Sequence, residues 1–203
     1  MEQIAPGIHH WTARHPSIRA RVHCAYVAPA RALIDPLLPE DGLAAFDGLP
    51  RPEVVLLTNR HHYRHSDRFA DAFGCTVRAS APGMHEFEGT RREVEPFAWG
   101  EEVAPGVVAH EVGVLCPDES ALHIAHGGGA LAVADGVVRA GHGELGFVPD
   151  HLLGDDAEQI RRGLRASYAR LLDLDFETLL LAHGEPVAGG AKDALRAFAT
   201  ADR

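Results

Sequence analysis

The 203-residue sequence has few cysteines and no long apolar run. Cys24, Cys75 and Cys116 are widely separated, odd in number and outside any CxxC pair, so neither a disulfide framework nor a zinc knuckle is expected. No run approaches the roughly 18 apolar residues of a membrane-spanning helix. The first residues, MEQIAPGIHHW, lack the basic start and apolar stretch of a secretion signal. We therefore expect a cytoplasmic protein with no membrane partner.

Lysine is also nearly absent, because Lys192 is the only one and arginine supplies the remaining positive charge. The formal net charge is −10 with histidine neutral, which disfavours a nucleic-acid partner. Hydrophobic residues make up 46% of the chain, as in ordinary soluble proteins, and its length suits one domain over residues 1–203. The expected partner is a small-molecule substrate or ligand, and the sequence leaves a homodimer open.

The apolar pattern predicts strands and helices in an order that repeats once. Strand-like segments come first, a helix follows, and the same order returns in the second half of the chain. Such an order predicts an α/β (α+β) fold in which two sheets carry helices on their outer faces. The predicted strands cover 18–29, 30–36, 53–58, 75–80, 121–126, 130–135 and 176–186, and the predicted helices cover 40–47, 66–74, 155–172 and 192–201.

Polar residues follow four of these strands directly. Asp35 follows ALI, Asn59 follows VVLLT, Asp135 follows LAVA and His183 follows TLLLA, with His61 two residues beyond Asn59. Side chains at strand ends project into a common crevice, where α/β proteins place binding groups. Because Asp, Asn and His are metal-ligand types, the pattern indicates a metal site.

These segments resemble those of the metallo-β-lactamase fold hydrolases, over about Pro6 to Phe198. LLTNRHHYRH, GVLCPDES, AVADG and LAHGEP stand in the order of that family's T-H-x-H-x-D-H, G-H-T-P-G, G-D and H-G motifs. The resemblance implies a four-layer αββα sandwich with the site at the edge between the two sheets. It also implies hydrolysis of a small ester, thioester, lactone or phosphoester.

The same resemblance implies that the metal-ligand set is incomplete. His61, Asp135 and His183 keep ligand positions, so we expect at most one ion, zinc or iron, bound by these three. Asp135 and His61 are then the expected catalytic residues. The family's other ligand positions hold Asn59, Tyr63, Arg64 and Leu115.

An alternative needs no metal at all. The Arg64 guanidinium could pair with Asp135 and replace the charge of the ion, which would leave an inactive binding or structural module. Asp35 and His65 are expected around the pocket, together with Asn59, Tyr63 and Arg64. The sequence leaves the roles of His62, His142, Glu144 and Cys116 open.

Overall fold

The computed structural model describes residues 1–201, and its first half folds into a seven-stranded sheet. The strands pair in chain order. The first three pairings are antiparallel and the last three are parallel, so the fourth strand has one neighbour of each kind. They are β1 (Glu2–Ala5), β2 (Ile8–Arg14), β3 (Arg21–Val27), β4 (Ala32–Ile34), β5 (Val54–Leu56), β6 (Thr76–Ser80) and β7 (Glu95–Phe97).

The second half forms a six-stranded sheet and a short two-stranded ribbon. The strands are β8 (Glu102–Ala104), β9 (Val107–Glu111), β10 (Ser120–Ile124), β11 (Ala130–Val133), β14 (Thr178–Leu181) and β15 (Val187–Ala188), with β12 (Val138–Arg139) and β13 (Leu145–Gly146) in the ribbon. The sheet order is β15-β14-β11-β10-β9-β8. The predicted hairpin across the three-glycine turn is confirmed as β10 and β11, and β11 and β14 are parallel neighbours.

The three longer predicted helices are confirmed, and the fourth is a shorter 3-10 helix. The α-helices are α1 (Ser66–Phe73), α2 (Ala157–Leu171) and α3 (Ala191–Thr200), whereas Gly42–Phe46 is 3-10. Gly74 ends α1 in the left-handed conformation, with φ of 71°, as glycine commonly does after a helix. Within residues 1–201, none of the helices has both the length and the apolar character needed to cross a membrane.

Three buried apolar layers hold the sheets and helices together. Along β4 and β5 alternate side chains point to opposite faces, so Ile34 and Leu56 face the second sheet while Leu33 and Val55 face outward. The outward side chains pack with Phe69 of α1, and the far face of the second sheet packs under α2 and α3. The four-layer αββα sandwich implied by the sequence is therefore confirmed.

Two backbone hydrogen bonds join the sheets at one edge. The His23 amide donates to the Ala182 carbonyl at 3.0 Å, and the Ser120 amide donates to the Thr58 carbonyl at 2.8 Å. Buried amides and carbonyls need such partners, so these bonds fix the two sheets relative to each other. The polar residues that follow the strands lie at this edge.

Candidate metal centre

Asp135 and His183 come from two adjacent strands of the second sheet. β11 and β14 are in register, with Val133 opposite Leu181. Asp135 and His183 each follow that pair by two residues, so they lie side by side at the carboxyl ends of the two parallel strands. The His183 Nε2 atom lies 3.2 Å from Asp135 Oδ1.

His62 comes from the loop after β5 in the first sheet. Residues Arg60–Tyr63 form a short 3-10 segment that is kinked at His62, whose φ of −92° and ψ of 24° are not helical. The Asn59 side-chain oxygen accepts from the His61 amide at 2.9 Å and fixes the start of the turn. His62 is thereby buried, with its Nε2 atom 3.3 Å from Asp135 Oδ1.

Asp35 and Thr58 hold the His62 ring in place. The Asp35 Oδ2 atom lies 2.9 Å from His62 Nδ1, which leaves Nε2 facing Asp135. Thr58 donates to the same carboxylate twice, from its amide at 2.9 Å and from its hydroxyl at 2.5 Å. A histidine ligand is commonly oriented by a carboxylate on its other ring nitrogen, and this network has that form.

The three side chains form a set of donors that fits one divalent ion. Ligand atoms of His62, Asp135 and His183 all lie within 4.8 Å of one another. Asp135 Oδ1 is buried and makes no hydrogen bond, although two imidazole nitrogens lie 3.3 and 3.2 Å away. Neighbouring ligand atoms of a tetrahedral site with bonds of 2.0–2.1 Å are about 3.3 Å apart. The two distances to Asp135 match this spacing, and the two imidazole nitrogens lie within 4.8 Å of each other.

The charge on His62 is set by two carboxylates, Asp135 within the cluster and Asp35 behind it. Burial opposes charge on His62, but Asp135 and Asp35 overcome it and raise the pKa of His62 to about 9. Burial of Asp135 alone would raise its pKa. The charge of His62 outweighs this effect and holds the pKa of Asp135 well below its usual range. Carboxylates that hold a proton on a histidine also attract a divalent cation, so a proton and a metal ion would compete for this cluster.

His61, expected from the sequence as the third ligand, is not among the side chains that converge. It is exposed and lies on the wall of a groove, because the 3-10 turn points adjacent residues in different directions. The residue in the cluster is His62, whose role the sequence had left open. The expected catalytic roles of Asp135 and His61 stay predictions.

The pairing of Arg64 with Asp135, which the metal-free alternative requires, is not favoured by the structure. The Arg64 Nη1 atom donates to the backbone carbonyls of His23 at 2.8 Å and Asp35 at 2.5 Å. Arg64 has a φ of 48°, so the backbone turns its side chain toward the first sheet. Its guanidinium therefore supports the backbone around Asp35, and Asp135 faces His62 and His183.

The other substituted positions also place no ligand in the cluster. Tyr63 is buried in the outer core, with the Arg92 guanidinium 4.5 Å above its ring. His65 Nδ1 accepts from the Leu38 amide at 3.1 Å, and Leu115 lines the groove. Within residues 1–201, the cluster of His62, Asp135 and His183 is the metal-ligating group found, which fits one ion and not two.

A buried carboxyl that sequence reasoning missed lies behind Asp135. Glu119 Oε1 accepts from the Gly136 amide at 2.7 Å and from the Tyr168 hydroxyl at 3.4 Å. Burial raises the pKa of Glu119 to about 7. The available signal was an acidic residue directly before a strongly apolar strand, which is an unusual place for a charge.

An open groove of about 1070 Å³ contains the cluster residues Asp135 and His183 in its lining. His61 and the half-buried Cys116 also line it. His142 and Glu144 are both exposed, and neither is part of this lining. Gly184, next to His183, has a φ of 121°, and a Cβ there would lie 2.3 Å from the Arg139 carbonyl oxygen.

Comparison with known sequences yields no relative: no protein-family model matches the chain, and neither does any curated protein. Solved structures do match. A metallo-β-lactamase family protein of Thermus thermophilus superposes with a TM-score of 0.65 at 18% identity, covering 95% of this chain and 78% of its own. The metallo-β-lactamase SMB-1, complexed with mercaptoacetic acid, gives 0.65 at 15%, covering 97% and 91%.

A third similar structure is that of the protein TTHA1623 in a di-iron-bound form. It matches with a TM-score of 0.61 at 22% identity, and the alignment covers 91% of each chain. Identities this low establish a shared fold and nothing finer. Together with the αββα layers and the cluster at the edge between the sheets, these superpositions show that the chain has the metallo-β-lactamase fold.

Proposed function

We propose that the protein is a hydrolase that uses a single divalent metal ion held by His62, Asp135 and His183. The observation that carries the proposal is the buried Asp135 Oδ1 atom, which makes no hydrogen bond and lies between two imidazole nitrogens. Both nitrogens lie close enough to pair with this oxygen electrostatically, but neither meets it with hydrogen-bond geometry, and an ion at the shared point of these donors would satisfy its lone pairs.

The donor set indicates which ion is suitable. Two imidazoles and one carboxylate suit zinc or ferrous iron with open coordination positions. When bound, the ion supplies a Lewis acid and lowers the pKa of a coordinated water. The similar TTHA1623 structure holds two irons, whereas residues 1–201 of this chain offer one cluster of ligand side chains.

The chain's own residues would do the remaining work. Asp35 and Thr58 fix the orientation of the His62 ring, and so keep the donor atom facing Asp135. Asp135 has a side chain that is 24% exposed to the groove, where its carboxylate can accept a hydrogen bond from the attacking water and orient it. In this proposal His61, which lines the groove, gives a proton to the leaving group.

The decisive experiment compares two adjacent histidines. Purified protein without an affinity tag is supplied with zinc or ferrous iron, and bound metal is measured after gel filtration. We expect about one ion per chain in the parent and in His61→Ala, and a loss of at least tenfold in affinity in His62→Ala. His61→Ala is the matched control because it removes the same side chain one residue away.

Two results would overturn the proposal. Metal below about 0.1 ion per chain in the parent, even after loading, would leave the cluster as a proton-binding network without a metal role. If His61→Ala lost the metal and His62→Ala retained it, the ligand would be His61 and the proposed site would be wrong. Hydrolysis of esters, thioesters, lactones and phosphoesters, measured on the loaded parent and on Asp135→Ala, then tests the activity.

A further inference from the structure

We infer that the groove beside the cluster binds the apolar acyl group of a carboxylic ester or thioester, an inference that rests on the proposed function for the reaction itself. The groove and the cluster are continuous, because Asp135 and His183 belong to its lining. A volume of about 1070 Å³ is at the upper end of small-ligand sites. A bound substrate can therefore place its carbonyl at the cluster and the rest of its acyl group in the groove.

The walls and rims of the groove are apolar. Ile18 and Leu152 are 58% and 54% exposed, and apart from Met1 they are the exposed large hydrophobic residues found within residues 1–201. Both belong to this groove and not to scattered surface positions. Exposed apolar residues gathered at one cleft are typical of a binding surface. The walls between them include Leu115, Val138, Phe147 and Val148.

The charged residues of the groove argue against a phosphoester. Arg139 uses its guanidinium on backbone carbonyls: Nε donates to Gly143 at 2.7 Å, and Nη1 donates to Pro186 at 3.0 Å. Arg21 donates to the Thr12 hydroxyl at 2.8 Å. Glu185 adds a negative charge to the same lining. A phosphate group is best bound by uncommitted forked guanidinium donors, and a neutral acyl group needs none.

The basic residues on the other side of His61 also contact groups within the fold. A second cavity of about 300 Å³ there is lined by Arg60, Arg64 and Arg92. Arg60 forms an ion pair with Asp118, and Arg64 donates to backbone carbonyls. Arg92 lies over the Tyr63 ring. Arg60 and Arg64 therefore use donors within the fold and Arg92 stacks on an aromatic ring, so the apolar groove is the better fit for a neutral acyl group.

The test measures binding of octanoate and acetate by calorimetry, on metal-loaded and on chelator-treated protein. Both probes carry the same carboxylate, so their difference isolates the apolar chain. Each fully buried methylene adds about fourfold in affinity, so octanoate should bind at least about 30-fold tighter even if half of its chain is buried. The double variant Ile18→Ser/Leu152→Ser should lose most of this preference, and Ile18→Leu/Leu152→Ile should keep it.

The outcomes separate this inference from the proposed function. A chain-length preference in chelator-treated protein supports the groove. If the parent also fails to bind added metal, that failure overturns only the metal-dependent reaction. Equal binding of acetate and octanoate, or a preference unchanged in the serine double variant, overturns the groove assignment. A third outcome also overturns the assignment: the parent is a dimer that does not bind octanoate, and the serine double variant is a monomer. The apolar surface would then bind a second copy of the chain.

Discussion

The two sheets hold their parts of the candidate metal centre by different means. On the second sheet, Asp135 and His183 follow two parallel strands in register, so backbone pairing alone brings them level. On the first sheet, His62 lies in a 3-10 turn, and side-chain contacts from Asp35 and Thr58 keep its ring in position. One side of the site is fixed by the backbone and the other by a network of side chains.

This difference decides how each side responds to change. A substitution that disturbs the backbone on the second sheet should damage the fold itself. A substitution in the Asp35 network should leave the fold in place and weaken the metal site, because the turn can persist while the ring loses its orientation. The following four variants test that contrast.

The largest effect is expected from Gly184→Ala on the backbone-held side. The new Cβ would lie 2.3 Å from the Arg139 carbonyl oxygen, and φ is 121°, so the chain around His183 must shift. We expect the free energy of unfolding to fall by more than about 3 kcal/mol in a urea titration. Gly189→Ala is the control, because its φ of 81° is also strained but its Cβ meets no atom within 4 Å. An equal cost in both variants would contradict the close-contact explanation.

Asp35→Asn should act on the metal site more than on the fold. Removing the carboxylate charge weakens the hold on His62 Nδ1, and lost support of this kind typically costs about 10–100-fold in metal affinity. Competition with a chromophoric chelator measures the affinity, and the exposed Asp67→Asn serves as the control. Unchanged affinity would show that the turn alone positions His62.

Glu119→Gln should change how stability depends on pH on the second sheet. Burial raises the pKa of Glu119 from 4.5 to about 7, so the folded chain holds this proton more tightly than the unfolded chain. Its stabilising contribution is complete below pH 4.5 and is lost as pH rises through 7. Glutamine cannot ionise, so it does not lose this contribution. We expect the free energy of unfolding of Glu119→Gln, relative to wild type, to rise by about 1–2 kcal/mol from pH 4 to pH 8.

Urea titrations across that range measure the change. Glu111→Gln, at an exposed position, is the matched control and should run parallel to wild type. Parallel curves for wild type and Glu119→Gln would mean that Glu119 is ionised in the folded chain at neutral pH.

The smallest effect is expected on the first sheet, where the sign is opposite. His10 and His23 share a hydrogen bond of 2.9 Å, and burial lowers the pKa of His23 from 6.5 to about 4. The stabilising contribution of neutral His23 is present above pH 6.5 and is lost as pH falls through 4. Because solvent screens part of this interaction, His23→Gln should reduce acid destabilisation by under about 1 kcal/mol.

Unfolding monitored between pH 4 and pH 7 checks the change, with His85→Gln at an exposed position as the control. The same acid slope in wild type and His23→Gln would mean that His23 does not contribute to acid unfolding.

The strand-held part of the site could be predicted from the sequence, whereas the loop-held part could not. Asp135 and His183 follow apolar strands, and strand pairing brings such residues to one edge whatever the details of the loops. His61 and His62 are adjacent and chemically identical, so no residue pattern distinguishes them. The choice depends on the Asn59 contact and on the Asp35 carboxylate, which come from tertiary contacts. Arg64 was misplaced for a related reason, since its φ of 48° cannot be inferred from residue type.

The two backbone hydrogen bonds that join the sheets have a consequence for how an ion would leave. Because His23 is tied to Ala182 and Ser120 to Thr58, the halves of the sandwich cannot separate at this edge without breaking them. An ion bound as proposed would then leave through the open groove. Small chelators should strip it much faster than bulky ones of equal strength, and mild denaturant that loosens the edge should remove that difference.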